Sequence, residues 1–132
     1  MLSFAGKPPT NLGVNNGKLA ECPSSPNCVC SQCASADAEH YIQPLSYSGS
    51  PEQALETLTS IIQGMDRTNI ITTSADYLYA EFTSQLMGYV DDVEFYCDRA
   101  NNTIHVRSAS RLGKSDLGVN RKRIETIRAA FA

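Results

Sequence analysis

Four cysteines cluster at positions 22, 28, 30 and 33, and a fifth stands apart at 97. Thiolates are good ligands for a tetrahedral zinc ion, so Cys22, Cys28, Cys30 and Cys33 could in principle hold one. Their spacing argues against it. It is not a pair of C-x-x-C turns, and it matches no iron–sulfur pattern. Cys30-Ser31-Gln32-Cys33 is formally a redox C-x-x-C. It lies in a Ser-rich stretch, however, rather than opening a helix whose N-terminus would lower a thiol pKa. A simpler reading is a Cys22–Cys28 disulfide in an oxidising compartment, or plain thiols in a reducing one. Metal or thiol-redox chemistry in the arm is thus an alternative, and no cofactor is predicted. Cys97 has the parity of Val93 and Phe95, which makes it a buried apolar thiol.

A second set of reactive groups alternates along three segments. Tyr77, Tyr79 and Glu81, then Glu94 and Tyr96, then His105 and Arg107, all take the parity opposite their apolar neighbours. On neighbouring strands they would share one face. Carboxylates, an imidazole, a guanidinium and phenols can bind a polar ligand or move protons, and a carboxylate can pair Arg107 bidentately. A small hydrolase or isomerase using Glu81, Glu94 and His105 is one reading. A solvated face with cross-strand charge pairs is the plainer one. Of the two histidines only His105 is so placed, so a histidine-rich metal site is not expected.

The third set is the loop Ser110–Arg121. Arg111, Ser115, Asp116 and Asn120 lead into a helix whose first turn carries Arg121, Lys122 and Arg123. Free N–H groups at a helix start attract anions, and cations there add to the pull. The alternative is a loop in which Asp116 accepts hydrogen bonds from Ser115 or the backbone. The loop has no Walker or dinucleotide glycine pattern. The chain has no G-x-S-x-G elbow.

Charge is unevenly spread. The net charge is −3. Seven of the eleven basic residues nevertheless lie in 107–128, against two of the fourteen acids. An acidic body with a basic C-terminal segment points to a local anion site and away from nucleic acid. No apolar run approaches the roughly 20 residues of a membrane span. The N-terminal residues have neither the apolar length of a signal peptide nor Gly at position 2 for myristoylation. A cytoplasmic location is expected, with an extracytoplasmic or thylakoid-lumen one as the alternative if a leader was removed.

These groups need elements to position them. At 132 residues, 42% hydrophobic, the chain suits one domain with a real core. Residues 1–38, with Pro8, Pro9, Pro23 and Pro26, show no sustained period and read as an irregular Cys-rich arm. Residues 39–132 read as an α+β domain. His40–Tyr47 is its first strand. Ser50-Pro51-Glu52-Gln53 is a capping box with Pro at the first helical position. Leu55, Leu58, Ile62 and Met65 follow at helical spacing. The period then becomes two over Asn69–Thr73, Tyr77–Thr83, Asp92–Asp98 and Thr103–Ser108. Asn101-Asn102 marks a turn. Ile124, Ile127 and Phe131 are the stripe of a last helix, with Asn120 as its N-cap. The order β-α-β-β-β-β-α predicts a two-layer sandwich: an antiparallel sheet of about five strands with both helices on one face.

Three stretches of this chain resemble a family catalogued as domain of unknown function 1499. They are Cys22-Pro-Ser-Ser-Pro-Asn-Cys28-Val29, then Tyr77-Leu-Tyr-Ala-Glu81-Phe82 with Val90-Asp-Asp-Val-Glu94-Phe95, and Val106-Arg-Ser-Ala-Ser-Arg111 running on to Ser115-Asp-Leu-Gly-Val-Asn-Arg121. The resemblance implies bacterial or plastid relatives, some secreted or membrane-attached. It brings no assigned activity. The family pattern often has His where this chain has Tyr79, and typically lacks cysteines at 30 and 33. The sequence thus favours a non-catalytic binding or accessory module. It would hold a small anionic ligand or a protein partner on the polar face and the Ser110–Arg121 loop.

Overall fold

A computed structural model describes residues 5–85, 87–113 and 116–132. Ser115, one of the loop residues singled out above, lies outside them. The described residues form six strands and two α-helices: β1 Cys28–Cys30, β2 Leu45–Ser46, α1 Pro51–Gln63, β3 Thr68–Thr73, β4 Tyr77–Thr83, β5 Val90–Asp98, β6 Thr103–Ser110 and α2 Val119–Phe131. All strands join one antiparallel sheet in the order β1-β6-β5-β4-β3, with β2 also on β6. This is the expected α+β sandwich with one strand more. The connection between β5 and β6 turns through Asn102, in the left-handed region at φ 51°, a conformation that asparagine tolerates well.

Local chemistry accounts for α1. Ser50 is its N-cap, and Oγ accepts the Gln53 N–H at 3.1 Å. Pro51, which has no N–H to lose, occupies the first turn. Its buried stripe is Ala54, Leu58 and Ile62. Ile124 and Ile127 of α2 join it over Leu78, Ala80, Phe82, Val93, Phe95, Cys97, Ile104 and Val106. Each large aliphatic side chain in that layer contributes about 1.5–3 kcal/mol. Cys97 is a buried thiol of this layer, as its parity predicts.

Two elements differ from expectation. The antiparallel ladder in 40–47 is confined to Leu45–Ser46, with a single parallel bridge from Tyr41 to Cys30; Pro44, between them, has no N–H for a ladder. In its place the arm supplies a strand: β1 pairs Cys28, Val29 and Cys30 with Ala109, Ser108 and Arg107, and Val29 enters the core. The segment expected to be irregular is thus partly sheet.

Candidate functional site

The period-two pattern of β4, β5 and β6 puts Tyr79, Glu94 and Arg107 side by side, with Tyr77, Tyr96 and His105 in the next row. The helices cover the opposite face, so these residues do share one surface. That surface is not open. The arm lies across it and buries Glu94 completely and Arg107 to 4% exposure. Gly13 donates its N–H to Glu94 Oε2 at 2.7 Å. It does so at φ 100°, a backbone conformation suited to glycine. The Glu21 carbonyl accepts from Arg107 Nη2 at 3.3 Å. Gln32 holds the arm further along, accepting the Leu19 N–H and donating to the Gly17 carbonyl.

Beneath the arm the polar groups form two clusters. In the first, Tyr77 donates to Glu94 Oε2 at 2.5 Å, and Arg107 Nη1 stands 3.8 Å from Glu94 Oε1. Burial, and then the bond to Glu94, push the Tyr77 phenol far up. Among the described residues, Glu94 Oε1 and Arg107 Nε have no hydrogen-bond partner. In the second, Arg111 reaches Asp92 through Nε and Nη2 at 2.9 and 2.8 Å, and Glu81 Oε2 through Nη2 at 2.5 Å. Tyr79 donates to Asp92 Oδ1 at 2.5 Å. Tyr79 too is pushed upward, by burial first and the Asp92 bond second. A bidentate guanidinium–carboxylate pair is the arrangement that tolerates burial best.

His105 belongs to neither cluster. Ser31 Oγ accepts the Val106 N–H at 2.9 Å, so its hydroxyl proton is free to point at His105 Nδ1, 3.0 Å away. With Ser31 as the donor, Nδ1 is the acceptor and the ring is neutral. Burial also holds His105 below the ordinary histidine range, against the opposing pull of Asp98. Tyr96 stacks on its ring at 6.4 Å. Glu81, Glu94 and His105 therefore take separate partners: Arg111, then Tyr77 with Gly13, then Ser31. They do not converge on one cleft.

The other histidine behaves oppositely. His40 Nε2 donates to the Ser25 carbonyl at 2.9 Å and Nδ1 to Asp37 Oδ2 at 2.8 Å. Both bonds need the imidazolium, and the Ser25 carbonyl, then Asp37, raise its pKa. The two rings are expected to titrate on opposite sides of about pH 6.5, His40 above and His105 below, as read from their NMR proton shifts. The contribution of His40 to stability is full below about pH 6.5 and fades as pH rises through its raised value. The stability gap between wild type and H40Q should therefore shrink with rising pH.

Among its described residues, the Ser110–Arg121 loop is closed at its helix end by Asp116. Asp116 Oδ1 accepts the Gly118 N–H at 2.8 Å, and Oδ2 accepts the Asn120 N–H at 3.0 Å. The start of α2 thus already has a carboxylate. Burial pulls Asp116 upward, but these bonds outweigh it and leave the group below its ordinary value. Asn120 is not the N-cap. Gly118 takes that position, because Asp116 supplies the capping oxygens from outside the helix. Asn120 is instead buried, bonding Ser108, Ser110, Asp116 and the Asn27 carbonyl. Two of the three cations at the start of α2 are engaged too. Arg121 donates to the Ala38 and Glu39 carbonyls. Arg123 pairs with Asp91 at 2.7 Å and lies 4.8 Å over the Phe82 ring.

What this end of the molecule does present is apolar. A groove of about 460 Å³ opens between the loop before β5 and the loop after β6, lined in part by Tyr89, Val90, Leu112, Leu117 and Val119. Tyr89, Leu112 and Val119 are all exposed, Met87 is exposed nearby on the same loop, and Leu117 is 95% exposed. Leu117 also holds φ 53°, a left-handed conformation that is costly for a residue with a Cβ. The walls carry Asp91 and Asp116. A wider hollow of about 770 Å³ between the β2–α1 connection and the end of α2 is lined by Ser48, Gln53, Thr57 and Phe131, among others. It gathers none of the residues chosen on chemistry.

In the arm, Cys22 and Cys28 form a disulfide, while Cys30, Cys33 and Cys97 are free. With two of the four clustered thiols in that bond, four thiolates cannot converge on one metal. Among the described residues, no three His, Cys, Asp or Glu side chains gather as a metal site. No helix among them is long and apolar enough to cross a membrane.

Several residues of the site were not anticipated. Asp92 shares the parity of Glu94, so its place was readable. Asp91 sits on the core parity and Arg123 in a helix first turn, and only their pairing explains both. Leu117 had no signal beyond an apolar residue before a glycine.

These features define a class: a small α+β domain whose sheet is covered by helices on one face and by a disulfide-linked arm on the other. The chain matches the family described as "Protein of unknown function (DUF1499)" over residues 18–131, and it belongs to that family. No curated protein matches it.

Proposed function

We propose that the chain is a non-catalytic binding module that docks an apolar segment of a protein partner at the groove between the 84–90 and 110–119 loops. The observation that carries this is Leu117, a large aliphatic side chain 95% exposed on left-handed backbone at the rim of an apolar groove. Strained backbone and clustered exposed apolar groups both mark functional surfaces. A protruding leucine beside a hollow suits a protein partner, which offers a pocket and an anchor in return. A small anion is the weaker occupant. The groove walls carry Asp91 and Asp116, and Arg107, Arg111, Arg121 and Arg123 already have partners. Acid–base catalysis has less support still, with Glu81, Glu94 and His105 apart.

The test is amide shift mapping of the isotope-labelled chain with two probes, a short blocked peptide of leucine and phenylalanine and inorganic phosphate. The peptide is expected to shift Val90, Leu112, Gly113 and Val119, and Leu117→Asp to abolish those shifts. As an exposed substitution, it should change stability by no more than about 0.5 kcal/mol. Phosphate shifts around Arg121–Arg123, with none from the peptide, would refute the proposal in favour of an anion site.

A further inference from the structure

We propose that Cys30 and Cys33 form a second redox site, a dithiol that a low-molecular-weight disulfide oxidises to an intramolecular disulfide, with Cys33 as the entry thiol and Cys30 as the resolving one. Four observations support this. First, Cys30 ends β1 and the chain turns over Ser31 and Gln32. A four-residue turn brings its end Cα atoms within about 7 Å, close to the 4.4–6.8 Å that a disulfide spans. Second, the two thiols are near enough to act on one another: Cys33 adds to what raises the Cys30 thiol, and the backbone N–H groups of Gln32 and Cys33 oppose the rise. Third, access is unequal, since Cys33 is half-buried while Cys30 is 1% exposed. Fourth, Cys22 and Cys28, six residues apart and on the same arm, are already joined. Surroundings that keep that bond oxidised also oxidise a pre-aligned dithiol.

The order of events follows. The Cys33 thiolate attacks one sulfur of the reagent R–S–S–R. The S–S bond breaks, a Cys33–S–S–R bond forms, and R–S⁻ leaves and takes a proton from water. Cys30 then releases its proton to water and attacks the Cys33 sulfur, expelling the second R–S⁻. Overall the protein loses two hydrogen atoms and the reagent gains them. Burial above all raises the Cys30 thiol to about 11, so it is a poor first nucleophile. Nearness to Cys33 makes up for this in the second step, where the attack is intramolecular. The two amide N–H groups meet the charge as it forms.

The experiment equilibrates the full-length chain with oxidised glutathione, alkylates what remains free, and maps the peptides by mass. In the wild type, Cys30 and Cys33 should lose alkylation together and appear in one linked peptide, with Cys22–Cys28 intact and Cys97 alkylated only after unfolding. In C30S, glutathione should stay attached to Cys33. In C33S, Cys30 should remain unmodified until the chain is unfolded. Circular dichroism establishes that each variant folds. The proposal is overturned if the folded wild type keeps both thiols free under conditions that load Cys33 in C30S. It is also overturned if folded C33S takes up glutathione at Cys30 as readily as C30S does at Cys33, or if the linked peptide pairs either cysteine with Cys22 or Cys28.

Discussion

Arg111→Met should lower the unfolding free energy by about 3–5 kcal/mol, the usual cost of removing one partner from a buried ion pair. The cost arises at Asp92, which is 2% exposed and receives two of the Arg111 bonds. Without the guanidinium its charge keeps the Tyr79 hydroxyl and little else. Glu81, the other partner, has a side chain 27% exposed and can turn to water. Methionine fills similar volume, so the loss reports charge more than packing. Arg111→Lys should also be damaging, because an ammonium cannot reproduce a fork onto both Asp92 oxygens. Adding Asp92→Asn to Arg111→Met should recover part of the loss, with a coupling within the 0.5–3 kcal/mol typical of contacting pairs. Urea unfolding of the four chains measures it. Simple additivity would mean that the two side chains act independently.

Leu58→Asp should abolish the cooperative unfolding transition at 25 °C. Leu58 is fully buried beneath α1, against both the sheet and α2. Losing that side chain from the core costs about 2–5 kcal/mol, and an unpaired buried carboxylate adds several more. Domains of this size are stable by only about 5–15 kcal/mol in total. Thr57→Asp, one residue earlier on the exposed side of the same helix, is the control, with a change of about 0.5 kcal/mol or less. A folded Leu58→Asp chain would place the α1 stripe elsewhere than on the core.

Both predictions rest on patterns of different legibility. Leu58 could be read from spacing alone, since a helix of this composition has one face to bury. So could the parity of β4, β5 and β6, because a strand turns successive side chains to opposite faces. Parity says which residues share a face and nothing about what lies over it. Tyr79, Glu94 and Arg107 therefore read as an open face, ligand-binding or solvated, whereas the arm bonds Glu94 and Arg107, and Asp92 and Arg111 engage Tyr79. The arm itself was illegible because its grip runs through single contacts at Gly13, Glu21 and Gln32 with no period. The Ser110–Arg121 loop read as basic and anion-seeking for a similar reason. Formal charges are visible in a sequence, but their partners at Asp91 and at the 38 and 39 carbonyls lie far along the chain.

By itself, then, the sequence determined the two-layer α+β architecture, the capped start of α1, the core face of the sheet and the family, and it named Cys22 and Cys28 as the disulfide candidate. All of these follow from short-range regularities: helical spacing, alternation, capping chemistry and motif. Only the tertiary structure decided which groups are used up and which are displayed. It closed the polar face under the arm, paired Arg123 with Asp91, and left Leu117 exposed beside an apolar groove. The physical reason is that satisfying a buried charge or covering an apolar surface depends on neighbours brought together from distant segments, and no local pattern records them.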